Sequence, residues 1–369
     1  MRILFVDDEE RVLAGIERTL FMADRDWDVD FAHSGAEALE KLAANPADVV
    51  ISDMRMPLMD GAQLLRQVRD NWPRSIRIVL SGYTERDAAL RALDVAHQFL
   101  SKPCSCDSIV ETIDRAVDLH ELLHDTTIRS IVGRIDALPA APRMYIKLAG
   151  LLADENSDIG QISETVRSDP ALAAKALQLA NSAFFHGDRN ITDIEDAVER
   201  IGFNMLSKLV LANEVFSDGD RPDIDALRLR AVRASRLAGT ICPPFAPAET
   251  ATTAALLADV GKLLPDIDRL CAEADAEGSG FPTHAEVGAY LLGVWGLPPT
   301  IVEAVAHHHR PARVNHSAFD AVGVVHVAVA LVNDEALDED YLRKMGVADN
   351  LPRWTAACRQ QTTTDSEAI

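Results

Sequence analysis

The run MRILFVDDEE, Met1–Glu10, decides the fold of the first third of the chain. Arg2–Val6 is apolar, short and closed by two carboxylates, so RILFV reads as a strand buried on both faces. The same signature returns at VVIS (49–52), RIVL (77–80) and HQFLS (97–101), while WDVDFA (27–32) alternates as an edge strand does. Helical patterns lie between them at GIERTLFM, AEALEKLA, AQLLRQVR and RDAALRAL. Strands and helices alternating at these lengths predict a five-stranded, doubly wound parallel sheet of the flavodoxin-like kind.

In such a sheet, function gathers at the carboxyl ends of the strands. Those ends carry Asp7 and Asp8, Asp53, Ser81 and Lys102. Three carboxylates in one crevice repel one another and invite a hard dication such as Mg²⁺, which prefers oxygen ligands. A lysine and a hydroxyl facing them suit a phosphoryl group. Taken singly, Asp7-Asp8 reads equally as turn chemistry and Phe99 as sheet core; the ordered set at successive strand ends carries the functional reading.

After Asp107 the apolar spacing Ile109, Ile113, Ala116, then Ile128, Ile131, Ile135 and Leu138 continues the helical pattern, with a phase shift near Asp125–Thr127. That predicts two helical pieces. From Leu138 onward strand patterns vanish and an all-α domain is expected. Asp169 before Pro170 reads as a helix N-cap, and Thr192/Glu195 and Thr283/Glu286 have capping-box spacing. Further helical patterns cover roughly 203–217, 223–241, 249–264, 299–309, 319–333 and 338–358. Arg230, Arg233 and Arg236 fall on one helical face, read as a solvated stripe balancing nearby acids.

Composition narrows the function. Apolar content of 48% is that of a globular chain, and no apolar run reaches the roughly 18 residues of a membrane span. Met1–Glu10 turns acidic too soon for a signal peptide, so a cytoplasmic location is expected. A formal net charge of -22 repels a phosphate backbone, so no direct DNA binding is expected. Five scattered cysteines read as thiols, and Cys104-Ser-Cys106 as a plain loop.

VDDEE, SDMRMPLMDG, LSGYT and FLSKP resemble the receiver domain of two-component response regulators. The resemblance implies that Asp53 accepts phosphate from a sensor histidine kinase. It also implies that Asp8, Asp53 and the backbone carbonyl of Arg55 ligate Mg²⁺ with Asp7 assisting, that Ser81 and Lys102 bind the phosphoryl oxygens, and that Phe99 is the switch aromatic. LPAAP, SDPALAAKALQLANSAFF, DIEDAVERIGFNMLSKLVL and HAEVGAYLLGVWGLP resemble the HDOD family, the HD-related output domain. The boundaries expected are a receiver over 1–120, a helical connector over 121–137, an HDOD domain over 138–335, and a C-terminal helix and tail over 336–369.

In LLADVGKLL (256–264), Asp259 matches the aspartate of the HD pair, but Ala258 stands where that pair has histidine. His284 and one of His307, His308 or His309, represented by His308, match later ligands. Val329 stands where a closing aspartate is expected, and RASRLAGTIC (233–242) offers no upstream histidine. Each also has a plainer reading: Asp259 paired with Lys262, His284 in a first helical turn, and the histidine run at a helix end. No cofactor is expected in the second domain, and the output is read as contact with an unidentified downstream protein or a second copy of the chain. The alternative is a metal-dependent HD-type phosphohydrolase acting on a cyclic dinucleotide or nucleotide.

Overall fold

RILFV forms β1 (Arg2–Val6) in this computed structural model, and every residue from Ile3 to Val6 is buried. The structure describes residues 1–23, 25–82, 92, 95–102, 106–122, 129, 132–133, 148, 151–152, 157–182, 190–203, 206, 222–244, 246–264, 267 and 283–367. The chain divides into two units, one built on Met1–Ala137 and the other on Leu138–Ala180, Arg189–Leu292 and Leu297–Ile369.

In the first unit, β1 is followed by α1 (Glu10–Met22), β2 (Asp28–Ala32), α2 (Gly35–Ala44), β3 (Val49–Asp53) and α3 (Gly61–Asn71). Then come β4 (Ile76–Gly82), β5 (Gln98–Lys102) and α4 (Cys106–Leu122). All strand pairs are parallel and the order is β2-β1-β3-β4-β5, the flavodoxin-like order expected. WDVDFA is an edge strand, as its alternation implies. The register sets the site: Val6 stands opposite Ser52 and Gly82 opposite Lys102. Asp7 and Asp53, each the next residue along, are therefore level at the strand ends. The RDAALRAL pattern lies outside the described residues except for Ala92, as does the connector over 121–137 apart from 121–122, Arg129, Val132 and Gly133.

The second unit is helical among the described residues: α5 (Ile159–Arg167), α6 (Pro170–Ala180), α7 (Ile194–Ile201), α8 (Pro222–Ile241) and α9 (Ala248–Leu257) come first. They are followed by a 3-10 turn (Val260–Leu263), α10 (His284–Val294), α11 (Pro299–His307), α12 (Ala321–Asn333), α13 (Glu339–Lys344) and α14 (Leu351–Glu367). Every residue of α6 is buried, Lys175 and Gln178 included, and the helix packs against α5 and α7. A second group packs α8, α9, α11 and α12 together. Asp169 caps α6 as expected, accepting from the amides of Ala171 at 2.8 Å and Leu172 at 3.2 Å. Of the stripe read as solvated, Arg236 is exposed and faces Glu164 at 3.9 Å, whereas Arg230 and Arg233 are half-buried.

Three sequence expectations need correction or completion. The cap of α7 is Asp193, not Thr192: its carboxylate accepts from the amides of Glu195 and Asp196, and its charge complements the helix dipole. The pattern over 338–358 is not one helix. Gly346, at φ 69°, turns the chain between α13 and α14. Most of the pattern over 203–217 lies outside the described residues. No helix among the described residues is long and apolar enough to cross a membrane.

Candidate functional sites

The sheet brings Asp7, Asp53 and Lys102 together. The Lys102 ammonium lies 2.5 Å from Asp7 Oδ2 and also contacts Asp53 Oδ1. Asp7 is 1% exposed, and its other oxygen accepts from the Glu9 amide at 2.9 Å, so the turn reading of this residue also holds. Asp53 Oδ2 accepts from the Arg55 amide at 2.7 Å, which sets the Arg55 peptide beside the carboxylate. Asp8, the next residue after Asp7, is exposed. A methyl group added at Gly61 would run into the Asp53 carbonyl, so glycine lets the first turn of α3 close against the acidic loop. Asp60 and Gln63 cap that turn reciprocally.

Burial pushes the Asp53 carboxyl above its ordinary range, and Lys102 only partly offsets this. Burial alone would lower Lys102, but its hydrogen bonds to Asp53 and Asp7 hold it up. Phe99 is 3% exposed and sits opposite Val79, so the ring belongs to the sheet core in this conformation. The backbone of Ser81 is in β4, but its side chain lies outside the described residues.

The helical domain builds a second cluster around Asp259, at the step from α9 into the 3-10 turn. Its Oδ1 lies 2.9 Å from Lys262 Nζ and 3.2 Å from His284 Nε2, while Oδ2 accepts from Asn333 at 3.1 Å. Asp259 is thus a buried acceptor paired with Lys262, and it also meets His284. His284 opens α10 behind a true capping box, in which the Thr283 amide donates to Glu286 at 2.7 Å and the Glu286 amide to Thr283 Oγ1 at 3.3 Å. A methyl group at Gly261 would strike the His284 carbonyl, so the missing side chain lets the Asp259 turn press onto α10.

His308 and His309 both join this group. His309 Nε2 is 3.1 Å from His284 Nε2, and its Nδ1 is 3.3 Å from Glu335. His308 is 1% exposed; its Nδ1 lies 2.7 Å from the Val305 carbonyl, and its Nε2 has no hydrogen-bond partner among the described residues. One ligand atom from each of Asp259, His284, His308 and His309 falls within 4.8 Å of all the others. Burial drives the His308 imidazole down to about 3, so it stays neutral. Burial would raise Asp259, but the His284 hydrogen bond and the Lys262 charge hold it well below the carboxylate range.

Ala258 is buried at the end of α9 and Val329 is 2% exposed inside α12. The α12 residue that reaches Asp259 is Asn333, one turn beyond Val329, which the sequence reading missed. His326, two turns before Asn333, donates from Nδ1 to the His308 carbonyl at 2.7 Å, and its Nε2 accepts from the Asp338 amide. The i, i+3/i+4 spacing of 326, 329 and 333 was the available signal.

Two family models match the chain. The model of the response regulator receiver domain matches residues 3–114, and that of the HDOD domain matches residues 138–311. The chain joins a response regulator receiver to an HDOD domain. The receiver is similar to hydrogenase transcriptional regulatory protein HoxA of Cupriavidus necator, 35% identical over 125 residues, or 33% of this chain and 25% of HoxA. The chain therefore spans about a quarter of that relative. Among solved structures, a response regulator receiver domain protein from Clostridium thermocellum is 31% identical, with 33% of this chain and 97% of that one covered, at a TM-score of 0.31. The MmoQ response regulator of Methylococcus capsulatus is 25% identical, covering 60% of this chain and 98% of its own, at a TM-score of 0.48.

Proposed function

We propose that Asp53 takes a phosphoryl group from a sensor histidine kinase and that the HDOD domain passes the signal on by binding another protein, not by catalysis. The observation that carries this is the convergence of Asp7, Asp53 and Lys102 on one point at the strand ends. The Asp53 carboxylate attacks phosphorus, the bond to the kinase imidazole breaks, and an aspartyl phosphate forms. Asp7, Asp8, Asp53 and the Arg55 carbonyl offer the hard oxygen donors that suit Mg²⁺, which would supply positive charge at the phosphoryl oxygens. Lys102 then exchanges its carboxylate contacts for a phosphoryl oxygen, and the Ser81 hydroxyl follows. Phe99, on the same strand as Lys102, reports the change through the core.

Non-catalytic output rests on Ala258 and Val329, two apolar side chains where an HD-type hydrolase has ligands. The downstream partner is a protein, with self-association as a second route, in the cytoplasm. The rival, hydrolysis of a cyclic dinucleotide, is favoured by one observation, the four-donor cluster at Asp259. Acetyl phosphate with Mg²⁺ should add one phosphoryl group by intact mass, Asp53→Asn should take none, and cyclic di-GMP should come through unchanged. Equal labelling of Asp53→Asn, or turnover of cyclic di-GMP, would overturn the corresponding half.

A further inference from the structure

We propose that Asp259, His284, His308 and His309 form a closed, four-ligand site for one divalent transition metal of the zinc class, with no coordination position left for a reacting water. The site lies wholly in the helical unit and stands apart from phosphorylation of Asp53, so either reading can fail alone. It extends the non-catalytic reading of the HDOD domain, because a structural metal needs all of its ligands whereas a hydrolytic one must keep a place open.

Tautomers carry the first part of the argument. His308 Nδ1 faces the Val305 carbonyl, which only accepts, so Nδ1 bears the proton and Nε2 presents a lone pair. His309 Nδ1 faces the Glu335 carboxylate, with the same result for its Nε2. This outer contact to a carbonyl or a carboxylate is what orients metal-binding imidazoles. The His308 lone pair is buried with no partner among the described residues, a state that costs free energy unless something electropositive sits opposite it.

Distances carry the second part. Bonds of about 2.0–2.2 Å at tetrahedral angles put neighbouring donors roughly 3.3–3.5 Å apart. His284 Nε2 lies 3.2 Å from Asp259 Oδ1 and 3.1 Å from His309 Nε2. A single imidazole N–H cannot point at both, whereas one metal satisfies both. The remaining separations, all within 4.8 Å, close by at most about 1.5 Å through side-chain rotation. Three imidazoles and one carboxylate select zinc-class ions over Mg²⁺. Lys262 now neutralises Asp259 and would be displaced, and Glu335 supplies the second negative charge behind His309.

The test uses the full chain, free of any histidine tag, stripped with chelator and held in excess Mg²⁺ to occupy the strand-end carboxylates. Zinc is titrated against a chromophoric chelator, and Co²⁺ reports geometry through its visible spectrum. One zinc per chain is expected, with a tetrahedral cobalt spectrum. His284→Gln and His309→Gln should each weaken zinc by at least about 100-fold, and Glu335→Gln by roughly 10-fold, with circular dichroism unchanged. No uptake, uptake indifferent to both histidine variants, a six-coordinate cobalt spectrum, or a second metal lost with the same variants would each overturn the proposal.

Discussion

At the strand ends of the sheet a lysine holds two carboxylates, and in the helical domain a lysine holds one carboxylate among three imidazoles. Each cluster has a buried aspartate at its centre, and each leans on a glycine whose missing side chain lets a loop press on a helix: Gly61 in the receiver, Gly261 in the HDOD domain. The donors differ more than the access does. Asp7 and Asp53 are 1% and 6% exposed and Asp259 is 9% exposed; beside them Asp8 is exposed, and His284 and His309 are half-buried. Hard oxygen donors suit Mg²⁺ and a phosphoryl group. Nitrogen donors suit a zinc-class ion or a fixed hydrogen-bond knot.

The largest expected effect separates the two clusters by function. Asp8→Ala removes an exposed oxygen donor and leaves the core untouched, so labelling by acetyl phosphate at fixed Mg²⁺ should fall by at least about 100-fold. Zinc uptake should not change. Labelling that persists in Asp8→Ala would show that Asp7 and Asp53 suffice, and the exposed carboxylate would drop out of the contrast.

The next effect tests the shared device. Gly61→Ala and Gly261→Ala both force a methyl group onto a backbone carbonyl, of Asp53 and of His284 respectively. Each should destabilise its own unit by about 3 kcal/mol, since backbone, unlike a flexible side chain, cannot swing aside. Hydrogen exchange by mass spectrometry should localise the loss, to β3 and α3 in one case and to α9 and α10 in the other. Loss spread evenly over both units would break the parallel.

The sheet was legible because its signals are local. Each buried strand is a short apolar run, and Asp7, Asp53 and Lys102 follow from knowing where such runs stop. Even the register argument needs only strand order. The second cluster was half legible: Asp259, His284 and one histidine of 307–309 could be named, but that both His308 and His309 join, with Asn333 beside them, follows from the packing of helices that no window of sequence displays. The single helix read over 338–358 failed differently. Gly346 stood in view as a break, yet the apolar spacing on either side of it continued in phase, and periodicity alone cannot see a turn of φ 69°.

The smallest effect distinguishes a cap that was read correctly from one that was not. Thr283 and Glu286 exchange hydrogen bonds at the start of α10, so Thr283→Ala should cost about 1 kcal/mol and loosen the first turn that carries His284. Thr192 and Glu195 have the same spacing, but α7 begins one residue later, and Asp193 accepts the two amides. Asp193 also faces Arg167 at 3.2 Å, an arrangement that holds its carboxylate in place. Asp193→Ala should therefore cost about 1 kcal/mol in urea unfolding, whereas Thr192→Ala should stay within about 0.5 kcal/mol of the parent. If the ranking of these two were reversed, the helix would begin where the spacing alone put it, and Asp193 would be an ion-pair partner that happens to lie near the helix start.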